Sequence, residues 1–268
     1  MATTATPVVS VSDVYKTIEL IAPDVKNSYR PLKSLLPRMD LDRTALELLV
    51  VSHGGAIVDI STATGEPVEI PSSTTSKTTN VVRFAAKTAK AQDIEYKKEG
   101  VVKVKFSELY RQFIMNEEKY ICDSLTANVD IPTTSVDTVI DTQAPTPKML
   151  YDAIMGSIFK AKAYGVKDVV LLISNDVSDL LTAGTAEYNS IIKELDAMNV
   201  DIITSDYLTE TAYVIPKSDT VCGWVKLMED EIKFVVDLEN NGYMFGRENV
   251  AFVVLQPNQI TRLNIATV

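Results

Sequence analysis

Histidine occurs once in the 268 residues, at His53, so metal centres built on histidine and relays of several histidines are all but excluded. Cysteine occurs twice, at Cys122 and Cys222, too far apart for metal-ligand spacing and too few for a disulfide framework. Glycine occurs only ten times. No Gly-x-Gly-x-x-Gly, no Gly-x-x-x-x-Gly-Lys-Ser/Thr and no Gly-x-Ser-x-Gly is present, so neither a phosphate-cradling loop nor a nucleophile elbow is encoded. No apolar run reaches the roughly 18 residues of a membrane span. The longest candidate, Val166–Ile173, is interrupted by Lys167 and Asp168. Met1-Ala2-Thr3-Thr4 has no basic stretch leading into an apolar core, so no secretory signal is expected and the chain reads as soluble, made in a reducing cytoplasm. Basic residues are also short, 26 against 36 acidic for a net charge of −10, which argues against a dedicated nucleic-acid binder.

What is present is an ordinary globular balance, 46% apolar and 23% charged, long enough for one large domain or two intimate ones. The charge is uneven. Residues 1–76 carry a net −3, residues 77–119 a net +4 and residues 120–268 a net −11. A basic segment on an acidic chain is either a solvated hairpin or a surface built to lie on another copy, since complementary potentials steer association and fix register.

Along the chain, residues 1–10 read as a mobile arm. Ser12 can cap a short helix with Val14, Ile18 and Ile21 on one face, ended by Pro23. Leu46–Val51 and Ala56–Ile60 flank Gly54-Gly55 as strand, turn and strand. The Ser/Thr-rich tract 61–80, around Pro67–Ile70, cannot enclose a core of its own. In Val101–Phe106, Val102, Val104 and Phe106 alternate with Lys103 and Lys105, the period-two pattern of a half-exposed strand. Residues 66–106 are therefore expected to form a long two-stranded projection. Ser107–Ala127 has clear helical spacing, and residues 127–147 form a connector. From Thr146-Pro147 onward a helix, an apolar strand (Val169–Ile173), two helices and strands at Val200–Thr204 and Ala212–Ile215 make an α/β unit. Past Pro216, Val221–Met228, Ile232–Leu238, Tyr243–Phe245 and Val250–Leu255 read as separate antiparallel strands, with turns at Glu229-Asp230 and Asn240-Asn241-Gly242.

No catalytic constellation emerges. His53 has no nucleophile beside it in sequence, Glu229-Asp230-Glu231 reads as an acidic turn rather than a cation site, and both cysteines read as small hydrophobes. By elimination the chain is not expected to be an enzyme, and no metal or cofactor is expected.

In this order of elements the chain resembles the major capsid proteins of tailed phages of the Hong Kong 97 type and the encapsulin shells that share their fold. The resemblance rests on Met1–Asp42 as an arm and Glu66–Phe106 as an extended loop entered at Pro67-Val68-Glu69-Ile70-Pro71. Ser107–Ala127 matches the spine helix, Lys148–Ile215 the axial domain and the run from Pro216 through Leu255 the returning peripheral strands. It implies an α+β fold divided into an N-terminal arm (1–45), first peripheral strands and extended loop (46–106, the loop about 66–106), spine helix and peripheral domain (107–147), axial domain (148–215) and peripheral return strands (216–268).

The function it implies is a phage head protein that assembles as pentamers and hexamers into an icosahedral shell, in the host cytoplasm and then the virion. Such a shell encloses double-stranded DNA without binding it specifically. Its partners would be itself and other virion proteins such as a portal, with scaffolding or decoration proteins beside it, and no membrane. The expected inter-subunit contacts on the extended loop are Lys87, Lys90, Val102, Lys103, Val104, Lys105 and Phe106; the axial contact residues stay unassigned. The alternatives are an encapsulin-type nanocompartment, a tail-tube subunit, and, from another class, a small α/β enzyme with 148–215 as its core. That last option lacks a convergent nucleophile, base and anion-binding loop.

Overall fold

The computed structural model describes residues 10–29, 31–39, 47–53, 72–78, 82–136, 146–163, 165–182, 185–237 and 239–265. Val14, Ile18, Ile21 and Val25 recur every three or four positions and are buried, which folds Val11–Asn27 as α1. The helix runs through Pro23, where the sequence pattern suggested a stop, because Val25 continues the apolar face beyond it. A 3-10 turn, Leu32–Leu35, and the short strand β1 (Arg38–Met39) follow. β2 (Glu47–His53) and β3 (Ser72–Thr78) pair antiparallel, from Glu47 opposite Thr78 to His53 opposite Ser72, as a sheet of their own. The expected strand at Ala56–Ile60 and the Pro67–Ile70 entry lie outside the described residues.

β4 (Val82–Lys87) and β5 (Ala91–Gln92) lead into α2, a single helix from Glu99 to Ala127. At 1.5 Å per residue its 29 residues form a rod of about 43 Å. The helix corrects the expectation of a strand at Val101–Phe106. Residues 102 and 106 share a face in either structure, because a four-residue step is one helical turn and also two strand repeats. Residue 104 separates the two: a strand would bury it beside them, whereas it is 65% exposed while Val102 and Phe106 are 0% and 1% exposed.

The remaining elements are β6 (Thr133–Val136), α3 (Pro147–Ala163), β7 (Val169–Ser174), α4 (Asn175–Thr182), α5 (Thr185–Ala197), β8 (Val200–Ser205), β9 (Thr211–Pro216), β10 (Cys222–Val236), β11 (Asn241–Val254) and β12 (Thr261–Ile265). Thr146 Oγ1 accepts the Met149 N–H at the start of α3, and Gly165 at φ 84° ends the turn that follows it.

The first large sheet has the order β1-β10-β11-β4, with β5 on the far end of β11. β10 and β11 form one long antiparallel hairpin, and the expected break at Glu229-Asp230 is instead a register irregularity within β10. A strand tolerates an extra residue as a bulge without ending. The second sheet has the order β6-β12-β9-β7-β8, with β6–β12 and β7–β8 parallel and the other pairs antiparallel. Residues expected in the connector (β6) and at the end of the returning strands (β12) therefore belong to the sheet of the α/β unit.

Three apolar clusters hold these layers. The outer half of α2 (Val102, Phe106, Leu109, Phe113) packs with α1 and with Ala86, Phe234 and Met244 of the first sheet. Gly246 lets β11 lie against α2, since a Cβ there would come within 2.7 Å of the Phe113 ring. The far half of α2 (Ile121, Cys122, Leu125) packs between Trp224 and Phe252 of the first sheet and Leu172, Tyr213 and Ile215 of the second. The opposite face of the second sheet, with Val169, Leu171 and Ile173, is covered by α3, α4 and α5. β7 is buried on both faces and is correspondingly apolar from Val169 to Ile173.

The helix at 101–106 makes a measurable distinction. Phe106→Ala should cost about 3–5 kcal/mol in chemical denaturation, while Val104→Ala should stay within about 0.5 kcal/mol. Equal costs at both positions would contradict the helical assignment.

Candidate assembly surfaces

The seven residues expected to touch a sister subunit do not lie on one surface. Val102 and Phe106 are buried in the chain's own core, with the Phe106 ring stacked on Tyr110 at 6.4 Å, so both are withdrawn as contact residues. Lys103 and Val104 are exposed on the opposite side of α2. Lys105 is half-buried and lies 3.4 Å from Glu108, one turn along the helix. Lys87 is exposed at the end of β4, in register with Phe245 of β11. Lys90 is paired within the chain, its ammonium 2.7 Å from Asp237.

Asp237 organises the turn between β10 and β11. Its Oδ1 accepts the backbone N–H groups of Glu239 and Asn241, its Oδ2 accepts from Lys90, and Asn240 adopts φ 61° beside it. The Lys90 hydrogen bond, then that of the Asn241 N–H, holds the Asp237 carboxyl down at about 2.

The β2–β3 sheet pairs with neither large sheet. The projection read at 66–106 is therefore displaced: β4 belongs to the first large sheet and residues from Glu99 onward to α2, while the separate hairpin is built from 47–53 and 72–78.

Residues weighed for catalysis are placed as follows. His53 ends β2 opposite Ser72, and Glu229–Glu231 run within β10. Among the described residues no group of three or more His, Cys, Asp or Glu could hold a metal ion. Burial pushes the Cys122 thiol up to about 11 and the Cys222 thiol up to about 12, so neither is a thiolate nucleophile at neutral pH. Glu118 also titrates above its ordinary range because it is half-buried, with the Ser205 hydroxyl donating to it at 2.6 Å. This joins α2 to β8.

A cleft of about 550 Å³ escaped the sequence reading. Lys26 and Tyr29 at the end of α1, Lys33 and Arg38, Tyr110 of α2 and Trp224 of β10 line it, and the Lys33 ammonium is held by Glu117. Three segments far apart in the chain, residues 26–38, α2 and β10, meet there, so no local motif announces it.

No protein-family model and no curated protein sequence matches the chain. Solved structures do match its architecture. The virus-like particle from Pyrococcus furiosus aligns with 94% of this chain and 98% of its own at a TM-score of 0.63 and 12% identity. The capsid of cyanophage P-SCSP1u aligns over 90% of each chain at 0.60 and 12% identity. A structure from Mycobacterium phage Cain aligns with 96% of this chain and 98% of its own at 0.59 and 11% identity. The chain thus has the α+β fold shared by phage capsid and virus-like-particle subunits, the Hong Kong 97 type at large.

The turn at Asp237 has a pH signature. Its folded carboxyl sits near 2, below the ordinary 3.8, so its stabilising contribution is complete above about pH 4 and lost as pH falls toward 2. Lys90→Met removes the largest cause, and the Asp237 carboxyl should then titrate closer to 3.8, as read by NMR titration of its side chain. An unmoved titration would show that the backbone N–H groups alone set it.

Proposed function

We propose that the chain is the major shell subunit of a tailed-phage head, assembling as pentamers and hexamers into a closed icosahedral particle around double-stranded DNA. The observation that carries this reading is a two-stranded hairpin in a sheet of its own, on a chain with the fold of capsid and virus-like-particle subunits. Ordering such a hairpin costs conformational entropy, about 1–2 kcal/mol per residue of backbone, and two strands alone are marginally stable at best in water. Contact with a neighbouring copy would offset that cost. Closed shells repeat each contact many times, so a weak one suffices.

In this reading Lys87, Lys103 and Val104, exposed around β4 and the start of α2, are the contact residues that the next copy covers. Portal, scaffolding or decoration proteins would be further partners, and neither cofactor nor catalysis is called on. The likeness to the Pyrococcus furiosus particle supports a second reading, an encapsulin-type compartment. The two differ in contents, genomic DNA in the one and cargo protein in the other.

Negative-stain electron microscopy of the purified protein should show closed particles. A monodisperse monomer across a range of salt and protein concentration would overturn the proposal. Combined Lys103→Glu and Val104→Asp, both at exposed positions, should leave the thermal unfolding of the monomer unchanged while raising the protein concentration needed for assembly. Unaltered assembly would remove this face of α2 from the contact.

A further inference from the structure

The cleft beside Trp224 runs against the charge of the rest of the chain. Acidic residues outnumber basic ones 36 to 26 overall. Yet of the ten described residues that line this cleft, Lys26, Lys33 and Arg38 are cations and none is acidic. Glu117, buried on α2 and outside the lining, holds the Lys33 ammonium and offsets one of the three charges. A concave surface of one sign focuses the potential and concentrates a counter-ion inside it.

Beside the cations the cleft offers aromatic rings. Tyr29 is half-buried, its ring meeting that of Tyr110 edge-on at 5.8 Å, and Trp224 contributes the side formed by β10. The volume, about 550 Å³, falls within the range of about 300–1,000 Å³ for small-molecule sites. We propose that this cleft binds a nucleoside phosphate, its phosphate held by Lys26, Lys33 and Arg38 and its base against the rings of Tyr29, Tyr110 and Trp224.

The charge balance selects phosphate over carboxylate. Three cations less the Glu117 carboxylate leave two positive charges, and a phosphate monoester carries about −1.5 to −2 at neutral pH. A carboxylate would leave one of them uncompensated. Lys33 is anchored by a single ion pair and has three N–H donors, so its ammonium is fixed in place with donors left for an anion. Arg38 has an interaction within the chain, and its five donors leave capacity for a ligand as well. Aromatic rings take any base, because every base has a π face. A long polyanion is disfavoured by the net charge of −10 on the chain beyond the cleft, which makes a free nucleotide the expected occupant and a single strand entering by one nucleotide the other source. Every group in the site belongs to one chain, so the inference stands apart from the shell reading.

Trp224 is the only tryptophan in the sequence, so its fluorescence reports on this cleft alone. Adenosine monophosphate is titrated into the purified protein, with binding measured by calorimetry and located by the Trp224 emission. One saturable site with a change in emission is expected, weakening as salt is raised. Inorganic phosphate and adenosine should each bind about tenfold more weakly or worse, since each makes only half of the contacts. Lys26→Gln combined with Arg38→Gln should weaken nucleotide binding by about tenfold or more. Lys16→Gln, at an exposed position on the same helix outside the cleft, should leave it unchanged. Lys26→Gln alone should weaken it several-fold with thermal unfolding unaltered, which covers a double variant that fails to fold. An oligodeoxyadenylate without terminal phosphates that binds more weakly than the mononucleotide assigns the site to free nucleotide, and one that binds as tightly assigns it to a single strand. No binding at millimolar nucleotide, no change in Trp224 emission, equal binding of inorganic phosphate, or unchanged affinity in the Lys26→Gln variants overturns the inference. None of these outcomes touches the shell reading, which micrographs of the same preparation decide.

Discussion

Burial of α2 along its whole length is the constraint from which the rest of the structure follows. Its first half lies in the cluster with α1 and the first large sheet, and its second half lies between the two large sheets. One rigid rod therefore fixes the distance and angle between two β layers that share few other elements. A fully buried Val, Leu, Ile or Phe contributes about 1.5–3 kcal/mol. The fully or nearly fully buried positions run from Val102 to Leu125, so neither sheet can swing without exposing one end of the helix. The Lys33–Glu117 pair sits at the middle of that rod, where the segment after α1 crosses it, and pins the N-terminal region to the same axis.

Periodicity was informative where it was long and one-sided. Leu150, Ile154, Ile158 and Ala161 announced α3, and the unbroken apolar run at Val169–Ile173 announced a strand buried on both faces. Periodicity failed where two templates fit the same residues. Over Val101–Phe106 the lysines at 103 and 105 alternate with apolar residues, and only the exposure of residue 104, a tertiary property, decides between strand and helix. It failed again in β10, where three consecutive acidic residues look like a turn, although the ladder with β11 resumes at Glu231 opposite Arg247. The membership of β6 and β12 in one sheet was beyond sequence pattern altogether, because their pairing spans more than a hundred residues and depends on which edge of the sheet is free.

The candidate surfaces were legible in proportion to how local they are. A charge census reveals a basic segment, but whether its lysines point outward depends on the helix phase, which left Lys103 exposed and Phe106 buried. The cleft beside Trp224 is assembled from three separate segments and has no signature in any one of them.

The separate β2–β3 sheet, built from 47–53 and 72–78, also bears on the electrostatics of the proposed assembly. A loop spanning 66–106 would carry the lysines of the basic segment toward an acidic neighbour. The segment from Glu47 to Thr78 instead contains Glu47, Asp59, Glu66 and Glu69 against the single cation Lys77. The basic residues after it, among them Arg83, Lys87 and Lys103, belong to the body through β4 and α2. By sequence the stretch 47–78 is acidic and the stretch 77–119 basic, and within the proposed shell an attraction between the two on neighbouring copies is the expectation. Two copies of an acidic stretch of sequence repel, while each is attracted to a basic stretch that recurs on every neighbour. Such a polarity favours head-to-tail contacts that close into rings over symmetric pairing of exposed strand edges, the route by which an unprotected two-stranded sheet would otherwise aggregate.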